Sequence, residues 1–222
     1  MKQKNGQSED HFLPATGHHL PIALYDPMVR LLRKSALDRL LVDRSAISPG
    51  ARVLEIGCGT GNVCLEVGRR QPTARVVGLD PDPRVLDRAR RKAGRAGLTI
   101  GWEHGFAERL PFPDGSFERV LSSFMLHHLG PQQRDAALRE AHRVLAAGGS
   151  LHLVDMSPRP ATGTGPPARP ARRNRLANNS AEQVTASLLA AGFDQATVQE
   201  QRVQPLIGRV TVWRALRTTG PR

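Results

Sequence analysis

Apolar positions recur along the chain with two different periods. From Pro21 onward Leu24, Met28, Leu31 and Leu32, then Leu37, Leu40 and Leu41, return at helical spacing, which predicts one or two amphipathic helices up to about Val42. After the turn Ser48-Pro49-Gly50 the pattern becomes short β-type runs alternating with longer helical ones. Strands are expected at 52–56, 74–79, 98–103, 117–123 and 150–155. Parallel strands need long crossover connections, so this alternation predicts an α/β domain built on a parallel sheet.

The helices between the strands have readable ends. A helix over 62–70 follows the first strand directly. In Asp80-Pro81-Asp82-Pro83, Asp82 is placed to cap a helix that Pro83 opens, because the N–H that proline lacks would be unpaired there anyway; Val85, Leu86, Ala89 and Ala93 give its inner face. Pro131 starts another, with Ala137, Leu138, Ala141 and Leu145 inward and Gly148-Gly149 as its expected stop. Residues 157–175 break the alternation with Pro, Gly and Arg and read as a loop. A helix over 181–191 and strands over 196–203 and 209–216 follow, and so short a link between the two strands pairs them antiparallel. The organisation is thus a flexible tail over 1–20, a helical lid segment over 21–50, a core over 51–156, a Pro/Arg-rich loop over 157–180, and over 181–218 a helix and strands that complete the sheet.

Composition narrows the class. The formal charge of +12 suggests phosphate binding. However, all the basic residues except Lys2, Lys4, Lys34 and Lys92 are Arg, scattered over every helical segment with no interleaved aromatics for base stacking. A nucleic-acid partner is therefore not expected. Cys58 and Cys64 cannot build a disulfide framework and lack the spacing of a zinc site, so no metal is expected and both should be buried thiols. No apolar run is long enough to cross a bilayer and residues 1–10 do not resemble a signal peptide, so a cytoplasmic protein is expected. The sequence leaves the oligomeric state open.

Candidate chemistry begins where the first strand runs into Gly57-Cys58-Gly59-Thr60-Gly61 and then a helix. Such a turn aims backbone N–H groups at a polar or anionic ligand beside the C-terminal edge of the sheet. The dinucleotide fingerprint places a glycine at the sixth position, and here that position is Asn62. Asp80, at the end of the second strand, is placed to accept hydrogen bonds from a ribose diol, which suits an adenosyl ligand of either cofactor class; alternatively it is a turn residue before Pro81.

Read in order, VLEIGCGTGN, VVGLDPDP, FAERLPFPDGSFERVLSSFMLHHL and RVLAAGGSLHLVD resemble the successive motifs of the type-11 class I methyltransferase family, the group that includes ubiquinone and menaquinone biosynthesis C-methyltransferases. The resemblance covers roughly residues 51–155. It implies a Rossmann-like, doubly wound sheet of seven strands, the last antiparallel, and S-adenosyl-L-methionine as cofactor bound by the core over 51–156. It also implies site residues: Glu55 toward the methionyl end through water, Gly57, Gly59, Thr60 and Gly61 as the loop against methionine and ribose, Asp80 on the ribose hydroxyls and Pro81 beside the adenine. Phe106 and Ala107 would lie at the adenine edge, with core packing the other reading of Phe106, and Ser123 near the sulfonium. Two departures concern details: Ala147 stands where the family usually has Pro, and Pro83 where Ser or Ala is commoner.

The sulfonium methyl is already electrophilic, so the protein's main task is in-line alignment, and a base is needed only where the acceptor must lose a proton. His127 and His128, just past the fourth strand, are the candidate bases, with a rim or helix-start role as the alternative. His18, His19 and Tyr25 are substrate-side candidates, or else solvated histidines and a packing Tyr. Arg172, Arg173 and Arg175 could draw in an anionic acceptor. Ser122-Ser123-Phe124-Met125 is not the acidic Pro-Pro-aromatic run of amino-group adenine methylation, and neither Cys lies where cytosine-C5 chemistry needs one. The expected activity is methyl transfer to a small-molecule acceptor, lipid-like or aromatic. The alternatives are an RNA or protein methyltransferase and a non-catalytic S-adenosylmethionine-binding protein; the glycine spacing and the later motifs argue against a nicotinamide oxidoreductase.

Overall fold

The computed structural model describes residues 34–158, 176, 178–204 and 207–218. In chain order the elements are α1 (Lys34–Arg44), β1 (Arg52–Ile56), α2 (Asn62–Arg70), β2 (Arg75–Asp80), α3 (Pro83–Arg95), β3 (Gly101–His104) and β4 (Phe117–Ser123). A single 3-10 turn (Leu126–His128), α4 (Pro131–Val144), β5 (Leu145–Met156), α5 (Ala181–Ala190), β6 (Gln195–Gln204) and β7 (Gly208–Leu216) complete them.

The strands form one seven-stranded sheet in the order β3-β2-β1-β4-β5-β7-β6. β1 to β5 pair parallel, and β7 runs antiparallel to both β5 and β6. This is the doubly wound, Rossmann-like architecture expected, with the reversed last strand inserted between β5 and β6. One face buries Val120, Leu151, Leu153 and Trp213 against Leu138 and Val144 of α4 and Val184 and Leu188 of α5. The other buries Val53, Leu121, Val154 and Val212 against Leu37 and Leu41 of α1, Val63 and Val67 of α2, and Leu86 of α3. Central parallel strands are apolar on both faces because both are covered.

The chain order reverses direction between β1 and β4, so the C-terminal ends of β1, β2 and β4 open onto one crevice, the place where open α/β sheets bind ligands. The described part of the N-terminal segment, α1, packs on the sheet itself. Residues 1–33, with His18, His19 and Tyr25, and residues 159–175, with Arg172, Arg173 and Arg175, lie outside the described residues.

Several boundaries differ from expectation, the largest being β5, which begins at Leu145 and not at Ser150. β2 runs one residue further and takes in Asp80. β3 begins at Gly101 because the Leu98 amide closes the end of α3 on the Ala93 carbonyl, and the Leu98 and Ile100 side chains lie over Gly68 of α2. α4 ends at Val144 and not at the glycine pair, because Leu145 turns extended and is fully buried in the core. Arg217 supplies the missing cap, with its Nη1 donating to the carbonyls of His142, Arg143 and Leu145 at 2.9, 2.9 and 2.6 Å. Gly148 and Gly149 instead exchange backbone hydrogen bonds with Arg217.

Candidate cofactor and acceptor site

The glycine loop is fixed from three sides. At its start the Gly57 and Cys58 amides both donate to the Leu79 carbonyl of β2. Gly57, Gly59 and Gly61 all have positive φ (71°, 51° and 76°), a backbone region that side chains disfavour. At its end Gly61 is the N-cap of α2 and has no side chain with which to cap. Glu55, buried on β1, does this from below: its Oε2 accepts the Cys64 amide at 3.0 Å and the Cys64 thiol at 2.9 Å. Glu55 therefore serves the loop as an anchor of α2, a role its sequence position did not disclose.

Asp80 closes the loop from β2. Its Oδ2 accepts the Gly59 amide at 2.8 Å, and its Oδ1 accepts the Asp82 amide at 3.0 Å. Burial pushes its carboxyl up to about 6, against the two backbone donors that pull it down. Asp82 caps α3 as expected, accepting the Arg84 amide at 2.9 Å, and the Arg84 guanidinium beside it holds its carboxyl below the usual range. From α3, Lys92 reaches back to the loop, where its Nζ donates to the Thr60 carbonyl, the Thr60 hydroxyl and Asn62 Oδ1 at 2.9, 3.2 and 2.6 Å. Thr60 is almost fully buried beneath this contact.

Both cysteines are free and buried, as expected. Burial first, and the Glu55 charge second, raises each thiol well above its ordinary value, which disfavours the reactive thiolate.

The remaining candidate residues follow or end β2, β3 and β4 on the same edge of the sheet. Pro81 follows Asp80, and its carbonyl lies 3.0 Å from His104 Nε2. Phe106 is exposed and Ala107 buried in the loop after β3, where Arg109 donates back to the Phe106 carbonyl. Met125 stands over Gly57, since a Cβ there would lie 2.3 Å from Met125 Cγ. At the end of β4 the Ser123 hydroxyl donates to Asp38 of α1 at 2.8 Å, and the Ser122 hydroxyl donates to the Ile56 carbonyl. Phe124, at φ 58°, turns the chain away from the strand.

The His127 and His128 rings lie 4.1 Å apart between centroids, tilted by 38°, but differ in setting. His127 is buried against Asp155 at the end of β5; its Nδ1 lies 2.6 Å from Asp155 Oδ1 and its amide donates to Oδ2 at 3.0 Å. His128 is half-buried.

The structure thus joins Glu55, Gly57, Gly59, Thr60, Gly61, Asp80 and Pro81 in one loop system, with Ser123 and His127 on the neighbouring strand end. Asp38, Lys92, Met125 and Asp155 were not found by sequence reasoning. Asp38 had a signal: it is a carboxylate between Leu37 and Leu41 on the apolar face of α1, and a charge there needs a buried partner.

The features fit S-adenosylmethionine. The three glycines at positive φ give the loop a backbone course that side chains oppose, and at Gly57 and Gly61 a Cβ would also meet Met125 and Trp102. The loop runs directly into a helix N-terminus, and each Asp80 oxygen keeps a lone pair for a hydroxyl after taking its one amide. Among the described residues no group of three His, Cys, Asp or Glu is placed to hold a metal, and no helix is long and apolar enough to cross a membrane.

Comparison with known proteins agrees. A family model described as a methyltransferase domain matches residues 53–149. A demethylmenaquinone methyltransferase of Deinococcus radiodurans is 42% identical over 112 residues, covering 50% of this chain and 45% of that protein. One from Thermus thermophilus is 38% identical over 139 residues, 61% of this chain and 62% of that protein. The chain therefore spans about half to three fifths of the length of these relatives. Among solved structures, the 4+2 cyclase SpnF superimposes with a TM-score of 0.68 at 22% identity, covering 83% of this chain and 81% of that one, a likeness of fold alone.

Proposed function

The chain carries a class I, S-adenosylmethionine-dependent methyltransferase domain, and on that premise we propose that it transfers the cofactor's methyl group to a small-molecule acceptor, with a demethylmenaquinone-type aromatic ring as the class to test first. The observation that carries the reading is the Asp80–Gly59 contact: one buried carboxylate both fixes the glycine loop and presents acceptors at the end of β2, which is where a ribose diol needs them. The aromatic class rests on the names of the two relatives alone.

When bound, S-adenosylmethionine supplies a methyl group on a cationic sulfur, already activated for displacement. The work of the chain is positional. Gly57, Gly59, Thr60 and Gly61 would hold the methionine and ribose, Asp80 the diol, Pro81, Phe106 and Ala107 the adenine, and Ser123 would stand near the sulfur, its hydroxyl direction set by Asp38. Holding the acceptor in line with the methyl converts a bimolecular encounter into a local one, which accounts for most of the rate gain such a site requires.

Calorimetric titration with S-adenosylmethionine, with NAD as the control, tests the donor. Transfer of labelled methyl to demethylmenaquinol, set beside a panel of phenols, amines and RNA, tests the acceptor. Binding of NAD in preference to S-adenosylmethionine would remove the reading, and so would tight donor binding without transfer to any acceptor of the panel.

A further inference from the structure

Resting on the methyl-transfer reading, we propose that Asp155 is a positioning residue that holds His127 as its Nδ1–H tautomer, so that Nε2 takes a proton from the acceptor, and that the acceptor belongs to the class that must lose one: a phenol, an enol or an activated aromatic carbon.

Asp155 is almost fully buried at the end of β5, and its two oxygens take three donors. Oδ2 accepts the His127 amide at 3.0 Å, and Oδ1 accepts the Met156 amide at 2.6 Å. With each oxygen already accepting a backbone N–H, the carboxylate is set to act as an acceptor toward the imidazole, and the 2.6 Å contact from Oδ1 to Nδ1 is the basis for assigning the hydrogen to Nδ1. A neutral imidazole protonated at Nδ1 keeps its lone pair at Nε2. His127 makes no further hydrogen bond among the described residues. The His128 ring lies beside it, tilted by 38° with centroids 4.1 Å apart.

A helix-capping role explains only half of this geometry. The amide contact from His127 to Oδ2 caps the 3-10 turn, and that contact alone would serve for any residue at position 127. The second contact acts on the imidazole, at the end of the strand that carries Ser123, on the ligand-binding edge of the sheet.

The step balances without a further reagent. The acceptor O–H or ring C–H proton passes to Nε2, and the pair it leaves forms or restores the bonding around the new bond to the methyl carbon. The carbon–sulfur pair remains on sulfur, which becomes a neutral thioether. The imidazolium is stabilised by the Asp155 carboxylate until water removes the proton.

The test has one arm that needs no acceptor. In chain labelled with 15N-histidine, two-bond proton–nitrogen correlation should show His127 protonated at Nδ1 and bare at Nε2, with its signals assigned by their absence in His127→Gln. Asp155→Asn keeps the volume but adds a donor, and it should abolish the single Nδ1–H pattern. A wild-type proton on Nε2, or an unchanged spectrum in Asp155→Asn, would overturn the proposal.

The second arm uses demethylmenaquinol. His127→Gln should keep S-adenosylmethionine affinity within about twofold and lose about 10²–10⁴-fold in turnover; unchanged turnover sinks the proposal. If the wild type binds no S-adenosylmethionine, the underlying methyl-transfer reading fails instead. If it binds the donor but does not methylate this quinol, the tautomer arm decides.

Discussion

Asp80 and Gly59 lie 21 positions apart and meet at 2.8 Å, the carboxylate on β2 holding the amide at the centre of the glycine loop. Replacing Asp80 with Ala removes this brace and, on the proposed reading, the acceptor of the ribose diol. S-adenosylmethionine binding should weaken by about 1.5–3 kcal/mol, the range for hydrogen bonds to a charged group. Calorimetry reads the change directly, and unaltered affinity would mean that the diol lies elsewhere.

The same residue sets a pH dependence. Burial raises its folded carboxyl from 3.8 to about 6, so it binds a proton below that value, and a protonated carboxyl is the poorer diol acceptor. Cofactor affinity should be full only above about pH 7, be about halved at pH 6 and fall roughly fivefold more between pH 6 and 5. The dependence should vanish in Asp80→Ala. A flat profile in the wild type would show that binding is indifferent to the charge.

His152 works in the opposite sense on stability. Burial first, then the Arg214 and Arg119 charges, lowers it from 6.5 to about 3, so it stays neutral in the fold while the unfolded chain protonates. The unfolded state binds more protons between those values, and stability therefore rises with pH across the window and is lost as pH falls below 6.5. His152→Gln, still able to pair with Ser150, should lose about 2 kcal/mol less than wild type between pH 7 and 5. Urea unfolding at the two pH values measures this, and equal losses would refute it.

Two glycines separate backbone strain from steric conflict. Gly50 and Gly61 share nearly the same φ, 75° and 76°, but a Cβ at Gly50 meets nothing within 4 Å whereas one at Gly61 would lie 2.4 Å from Trp102 Cη2. Gly50→Ala should cost about 1 kcal/mol from strain, and Gly61→Ala a further 1–3, roughly, from overpacking. Equal melting shifts for the two variants would show that Trp102 yields freely.

Glu55 anchors α2 through the Cys64 amide. Glu55→Ala leaves the first turn without its acceptor and should destabilise the chain by about 1–2 kcal/mol in urea unfolding. Glu55→Gln keeps an acceptor oxygen and should recover most of the loss. If the two variants are equally destabilised, the charge matters and the hydrogen bond does not.

Much of this was readable from the residues. β1, α2 and β4 begin and end where the alternation of apolar runs places them, because each is short, strongly patterned and bounded by glycine, proline or charge. The Asp82 cap with Pro83 after it was equally local, since its hydrogen bond spans two residues. The end of α4 was not. The glycine pair looked like its stop, but Leu145 is drawn into the core and a guanidinium 72 positions away caps the helix.

The sequence by itself determined the fold class, the glycine loop and the identity of the residues along it, since hydrophobic periodicity, glycine spacing and turn chemistry act over a few neighbours. Tertiary structure alone decided what the carboxylates do. Glu55 turned out to face a helix N-terminus, Asp38 a serine 85 positions on, and Asp155 an imidazole 28 positions back. A buried carboxylate takes whichever donors the packed strands and helices bring to it, and no local pattern in the chain encodes that meeting.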